Sequence, residues 1–86
     1  MTRYFFDVHD IQFSTHDHEG TDCRDRAAVS AEALKALCQI AEDHPERYAD
    51  QGLNVVVRDN ANRSVLTATL NLSTSWHAKD AQEDAA

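Results

Sequence analysis

The stretch DRAAVSAEALKALCQIAEDH, residues 25–44, decides the fold. It is rich in Ala and Leu and contains neither Gly nor Pro, the two residues that most disfavour a helix interior. Asp25 can accept hydrogen bonds from the first free backbone N–H groups of a helix, and Pro45 ends the helix or kinks its last turn. The sequence therefore predicts one helix of about twenty residues that begins at Asp25.

Apolar and polar residues alternate on both sides of this helix, which predicts strands. Residues 3–9 (RYFFDVH) and a weaker segment, 11–15, form a first hairpin that turns at His9 and Asp10. Residues 53–58 (LNVVVR) and 65–73 (VLTATLNLS) form a second hairpin around the loop DNANR. The order β-β-α-β-β predicts a two-layer α+β domain, with a four-stranded, mainly antiparallel sheet and one long helix packed on one face. The helix should cover the apolar side chains of that face, which are Tyr4, Phe6, Val8, Val55, Val57, Leu66, Leu70 and Leu72.

Two further segments carry weaker signals. Residues 16–22 (HDHEGTD) are expected to form a loop in which Gly20 is free to adopt a positive φ. We expect a single ββαββ domain over residues 1–73, followed by a disordered acidic tail over residues 74–86 that Trp76 alone could anchor.

The predicted helix is apolar over more than half of its circumference. A helix lying on one sheet needs an apolar stripe only somewhat wider than about 100°. The stripe expected to face the sheet consists of Ala27, Ala31, Leu34, Leu37, Cys38 and Ala41. A second stripe, interpreted as a self-association face of a homodimer, consists of Val29, Ala33, Ala36 and Ile40. The alternative interpretation is that the alanines are neutral and that Val29 and Ile40 tuck under the connector that follows the helix. Separately, a free edge strand could itself join two subunits by backbone pairing.

Size and charge narrow the function. The 86 residues include 15 acidic and 8 basic side chains, for a net charge of −7. Because nucleic-acid affinity rests on cationic contacts to phosphates, no direct nucleic-acid binding is expected. The sequence lacks a membrane-spanning or secretory segment and has only two cysteines, so a cytoplasmic location with free thiols is expected. A chain this short buries a thin core, which a second subunit would stabilise.

Residues 9–23 (HDIQFSTHDHEGTDC) combine three histidines, four carboxylates and a cysteine. His9, His16 and His18, with one carboxylate from Asp17, Glu19 or Asp22, could hold zinc or a similar ion. Their spacing matches no specific metal motif, so they are interpreted as surface histidines, and no cofactor is expected.

A nucleophilic dyad of Cys23 with His16 or His18 has no orienting third group in the sequence. The sequence therefore predicts no enzymatic activity. We expect a small interaction module, with metal binding as a further alternative.

Four segments together resemble a known family of short bacterial proteins catalogued as a domain of unknown function. They are RYFFDVHD (3–10), DHEGTD (17–22), DRAAVSAEALKAL (25–37) and VVVRDNANRSVLTATL (55–70). The chain departs from the family pattern at Ile11 and Gln12, at Cys23 and Arg24, and at Asn62, which affects turns rather than strands. The resemblance implies the fold and no activity, and His16 and His18 lie outside the pattern.

A looser resemblance is to antitoxins of bacterial toxin–antitoxin pairs that contain a small partial RNase H-like domain. At the level of the fold this implies an acidic inhibitor of a basic, nucleic-acid-handling protein partner. The separate DNA-binding segment that such antitoxins usually append has no counterpart in this sequence.

Overall fold

Residues Arg26–Asp43 form the helix α1 in the computed structural model, which describes residues 1–78. The carboxylate of Asp25 accepts a hydrogen bond from the Ala28 N–H at 2.8 Å, so the predicted N-cap is confirmed. The helix ends at His44, and a short 3₁₀ helix follows over Pro45–Tyr48. Pro45 is the first residue of this second helix, and because it has no N–H it cannot continue the hydrogen-bond ladder of α1.

The Asp25 cap should contribute measurably to stability. We expect Asp25→Ala to lower the free energy of unfolding by about 1 kcal/mol, because the Ala28 N–H loses its acceptor. Urea unfolding followed by circular dichroism measures this loss. Asp25→Asn keeps an acceptor oxygen and serves as the control; an equal loss in both variants would contradict the capping role.

Five strands form one antiparallel sheet, which confirms the α+β class with one strand more than predicted. They are β1 (Thr2–His9), β2 (Ser14–Thr15), β3 (Thr21–Cys23), β4 (Leu53–Arg58) and β5 (Ser64–Leu70). The sheet order is β2-β1-β4-β5, and β3 also pairs with β1. β4 has the predicted bounds, whereas β2 is limited to two of the five residues predicted for it.

β2 and β3 are two halves of one interrupted edge strand along β1. Val8 pairs with Thr15 and Tyr4 pairs with Thr21, so the outer segment contains two more residues than the part of β1 that it covers. These extra residues bulge out of the ladder in the segment 16–20. The sequence missed β3 because three residues, Thr-Asp-Cys, show no period and pair only through this register.

The helix packs on the predicted face of the sheet. Leu53, Val55 and Val57 are fully buried beneath it, and partly buried side chains complete the layer: Tyr4, Phe6, Val8, Leu66, Ala68 and Leu70. Two predictions at the end of the chain are not met. Leu72 is 38% exposed and Trp76 is 76% exposed, so Trp76 does not anchor the predicted tail 74–86, of which residues 79–86 lie outside the described residues.

The prediction of which helix residues face the sheet is confirmed for Leu37 and Ala41 and wrong for the other members of the two stripes. Val29 (4% exposed) and Ala33 (0% exposed), assigned to the self-association face, lie in the core, and Ala36 and Ile40 pack against it. Of the stripe expected to face the sheet, Leu37 and Ala41 are buried. The remaining four residues are exposed, and we call them the outer flank: Ala27, Ala31, Leu34 and Cys38. The buried face therefore combines residues of both stripes, and because both are apolar, helical periodicity alone could not select them.

Candidate functional site

A cluster of charged side chains fixes the bulge of the edge strand onto the sheet, on the face opposite α1. Asp7 of β1 is buried, at 7% exposure, and is the charged residue for which this holds among the described residues. The Arg58 guanidinium of β4 donates two hydrogen bonds to the Asp7 carboxylate, at 2.7 and 3.0 Å. Arg58 also donates to the Asp17 carbonyl at 2.9 Å, and its guanidinium lies 5.1 Å from the centre of the Phe5 ring. The two charges therefore neutralise each other while they hold the bulge.

Asp17 replaces a missing strand partner. Its carboxylate accepts a hydrogen bond from the Phe6 N–H of β1 at 3.0 Å, where the edge strand is interrupted. The other carboxylate oxygen accepts from the N–H groups of Glu19 and Gly20, each at 3.1 Å, and the Asp17 N–H donates to Asp7 at 2.9 Å. The side chain thus satisfies the backbone groups that the bulge leaves without a ladder partner.

These contacts shift the ionisation of both carboxylates. Hydrogen bonds from Arg58 lower the pKa of Asp7 and outweigh the opposing effect of burial. Burial acts to raise the pKa of Asp17, but the N–H donors of Phe6, Gly20 and Glu19 outweigh it, so this pKa is also lowered. Both groups are therefore carboxylates at neutral pH, and neither has the raised pKa typical of a general acid.

Gly20 allows the bulge to lie close to β1. Its φ is +76°, in the region that favours glycine. A Cβ atom at this position would lie 2.8 to 2.9 Å from the Arg3 and Phe5 side chains and from the Tyr4 carbonyl oxygen. Gly20 therefore has two roles: it turns the chain, as predicted, and it allows the bulge to approach β1 so closely that a side chain would not fit.

The three histidines of the candidate metal site do not converge on one point: His16 and His18 are neighbours, whereas His9 hydrogen-bonds Ser14. His9 Nδ1 hydrogen-bonds the Ser14 hydroxyl. His16 Nδ1 lies 3.5 Å from the Asp7 carboxylate, and its ring meets the His18 ring edge-on with centroids 4.8 Å apart. Among residues 1–78, no three His, Cys, Asp or Glu side chains are arranged to hold a metal ion. A metal site at His9, His16 and His18 therefore receives no support from the geometry.

Cys23 lies in the core of the domain, where it is 3% exposed. Burial raises the pKa of its thiol, and the neighbouring carboxylates, Glu32 first, raise it further. A reactive cysteine needs the opposite, a lowered pKa and an exposed sulfur. The environment of Cys23 therefore suits a small core residue better than a nucleophile.

A second polar junction connects the first hairpin to the 3₁₀ helix. The Asp10 carboxylate accepts hydrogen bonds from the N–H groups of Gln12 and Phe13 at 2.7 and 3.0 Å. Its other oxygen accepts from the buried Tyr48 hydroxyl at 3.3 Å. Asp10 thus forms the turn that the sequence predicted and also pairs with a tyrosine that the sequence placed in a connector.

Sequence reasoning assigned no role to Asp7 or Arg58. Each occurs in a strand and at a position that alternates with apolar residues, which is typical of a solvated sheet face. These residues do occur in the segments that resemble the family: Asp7 lies in RYFFDV, Asp17 and Gly20 lie in DHEG, and Arg58 lies in VVVR. In this chain the segments that carry the resemblance therefore also contain the contacts that fix the edge strand.

Comparison with known protein families gives a match over most of the chain. A family model described as a domain of unknown function (DUF6894) matches residues 3–71. No curated protein and no solved structure matches the chain. The matched residues include the charged cluster and all five strands except Thr2, the first residue of β1.

Proposed function

Because the match covers residues 3–71 of 86, this chain belongs to that family of unknown function, and we propose that it is a non-enzymatic interaction module that associates with a second copy of itself. The observation that carries the proposal is the outer flank of α1, where the exposed Leu34 (53%) lies among Ala27, Ala31 and Cys38. A contiguous apolar surface on a small domain is typical of an interface.

The charged cluster supports a structural role for the family pattern. Asp7, Asp17 and Arg58 donate to and accept from one another and the backbone. Among the described residues, every buried side-chain nitrogen and oxygen atom has a hydrogen-bond partner. Groups that are fully engaged within the chain favour a scaffold over a reaction centre.

No helix in residues 1–78 has the length and apolar character needed to cross a bilayer.

Self-association can be tested by sedimentation equilibrium. We expect a mass of twice 9.6 kDa at protein concentrations between about 10 and 500 µM, with reversible dissociation on dilution. The interface has to be apolar for a chain with a net charge of −7 to pair with itself. A species of 9.6 kDa throughout this range would overturn the proposal.

A second candidate function is binding to a basic, nucleic-acid-handling protein, in the manner of an antitoxin or inhibitor. The observation that favours it is the excess of 15 acidic over 8 basic side chains, since opposite charges accelerate association. Isolation of the tagged chain from native lysate distinguishes the two. Recovery of one stoichiometric basic protein supports the second candidate, and recovery of a differently tagged copy of the chain supports the first.

A further inference from the structure

Strand β5 is the last strand of the sheet among the described residues. Its sequence, SVLTATL, contains no charged residue and no proline. In an antiparallel ladder alternate residues direct their N–H and C=O groups to opposite sides. The Phe6 N–H donates to Asp17 of the edge strand, so the backbone groups of Phe6 point away from β4. When this alternation is followed through the registers of β1 with β4 and of β4 with β5, the N–H and C=O groups of Thr67 and Thr69 also point away from β4, towards the open edge. Proteins usually protect such an edge with charges, proline or a covering segment.

The outer flank of α1 lies on the same side of the molecule as this edge. α1 runs in the same direction as β1, because it begins after Cys23, which pairs with Thr2, and is followed by β4, whose Asn54 pairs with His9. Phe6 directs its side chain towards the core under α1 and its N–H towards the edge strand, so, seen from the helix with β1 running upwards, β3 lies on the right and β5 on the left.

A right-handed helix with Ala33 buried against the sheet then carries Glu32 on the right, which is the β3 side. At 100° per residue, Leu34 is about 160° around the helix from Glu32, and the buried Ala33 lies between them. Since α1 packs over β4 and β5, the flank that contains Leu34 overhangs the open edge of β5.

From these two observations, and resting on the proposed self-association, we propose that a second copy pairs its β5 antiparallel to this β5 across a twofold axis. The two outer flanks then pack against each other above the joined sheet. The interface is isologous, as in most homodimers. The partner is a copy of this chain, because the β5 edge and the outer flank of α1 both lack charged residues and therefore do not repel their own copies.

The spacing of the elements fits this arrangement. Neighbouring strands lie about 4.8 Å apart, so a helix above the gap between β4 and β5 lies about 4.8 Å from a twofold axis outside β5. Two helices related by that axis are therefore roughly 10 Å apart, close to the 8–10 Å at which helices pack. Small side chains such as Ala27 and Ala31 suit this distance.

A single twofold axis can relate both the two β5 strands and the two α1 helices above them. Val29 and Leu66 line the same surface depression and are therefore level with each other along the sheet. Thr67 and Ala68, at the centre of β5, lie about 3 to 7 Å beyond Leu66 along the strand. The helical turn from Ala31 to Leu34 lies about 3 to 8 Å beyond Val29 along the helix. A twofold axis through the centre of β5 thus passes the middle of the outer flank.

Charge also favours this surface over the rest of the molecule. Neither β5 nor the outer flank contains a charged residue, although 27% of the chain is charged. A twofold axis places each residue near its own copy, so a charged surface would repel itself. This surface avoids that repulsion in a chain with a net charge of −7.

The test compares two interface variants with matched controls by sedimentation equilibrium of the full chain. Leu34→Glu places a charge on the outer flank, and Gln39→Glu adds the same charge on the polar side of α1. Thr67→Pro removes an outward N–H, and Thr67→Ala keeps it. We expect Leu34→Glu and Thr67→Pro each to raise the dimer dissociation constant at least about tenfold, and both controls to change it less than about threefold.

Circular dichroism and urea unfolding at low concentration establish that each variant is folded. If Thr67→Pro does not fold, Thr67→Lys replaces it, because like charges meet across the antiparallel pair. A wild-type chain that remains monomeric overturns the proposed function together with this inference. A dimer that persists in Leu34→Glu and in the β5 variant overturns the inference alone. A dimer weakened by Leu34→Glu but not by either β5 variant overturns the strand pairing.

Discussion

Gly20→Ala should destabilise the domain by roughly 3 kcal/mol, a large part of the total stability of a domain of this size. The new Cβ would lie 2.8 Å from Arg3 Cγ and 2.9 Å from both Phe5 Cε2 and the Tyr4 carbonyl oxygen. The Arg3 side chain can move, but the carbonyl belongs to β1 and is fixed by the sheet. The φ of +76° adds backbone strain that alanine does not tolerate well. Urea unfolding at one fixed protein concentration measures the loss.

Gly52→Ala is the matched control, because it makes the same chemical change at the other glycine. A Cβ at Gly52 would lie 3.7 Å from the Thr69 methyl group and 3.9 Å from the Leu70 carbonyl oxygen, which are ordinary contacts. We expect its free energy of unfolding to change by less than about 1 kcal/mol, in either direction. Equal losses in the two variants would show that Gly20 has no special role in the bulge.

Asp7→Leu should cost about 2–3 kcal/mol, because it leaves the Arg58 guanidinium without its carboxylate while the Asp17 N–H loses an acceptor. Arg58→Met is also expected to lower stability, since it leaves the Asp7 carboxylate buried without a counter-charge. The double variant removes both charges and should lose less stability than the sum of the two single variants. Urea unfolding of the four proteins measures the coupling; additive losses would contradict the paired role.

The pH dependence of the same pair has a defined sign. In the wild type the Asp7 pKa lies below its ordinary value of 3.8, so its contribution is complete above pH 3.8 and is lost as the pH falls through the lower folded value. In Arg58→Met, burial remains without the guanidinium and raises the Asp7 pKa. Asp7 of the folded variant then takes up a proton more readily than Asp7 of the unfolded chain, so the contribution of Asp7 to the stability of the variant rises as the pH falls. The stability difference between wild type and Arg58→Met should therefore narrow from pH 7 to pH 4; a constant difference would exclude this coupling.

These variants test the fold, and the Leu34 and Thr67 variants test association. The two sets concern opposite edges of the sheet. The charged cluster protects the β1 edge by covering it with β2, the bulge and β3, whereas the β5 edge has no such cover among the described residues. The difference between the edges is the reason to expect a partner at β5.

Much of the fold could be predicted from the sequence, because its signals are local. The Ala/Leu-rich composition and the Asp25 cap predicted α1, and period-two alternation predicted β1, β4 and most of β5. The charged cluster could not be predicted in this way. Its members, Asp7, Asp17 and Arg58, lie up to 51 positions apart in the sequence and meet only through the registers of β1 with β4 and with the edge strand.

The sequence by itself determined the helix, the main strands, the turn at Asp10 and the family, because each depends on neighbouring residues or on an ordered set of short segments. The tertiary structure alone decided which apolar residues of α1 face the sheet. Val29, Ala33, Leu37 and Ala41 lie on that side because they pack there with the buried Leu53, Val55 and Val57 of β4. Ala and Leu on the other stripe are equally apolar, and only packing could leave them on the surface.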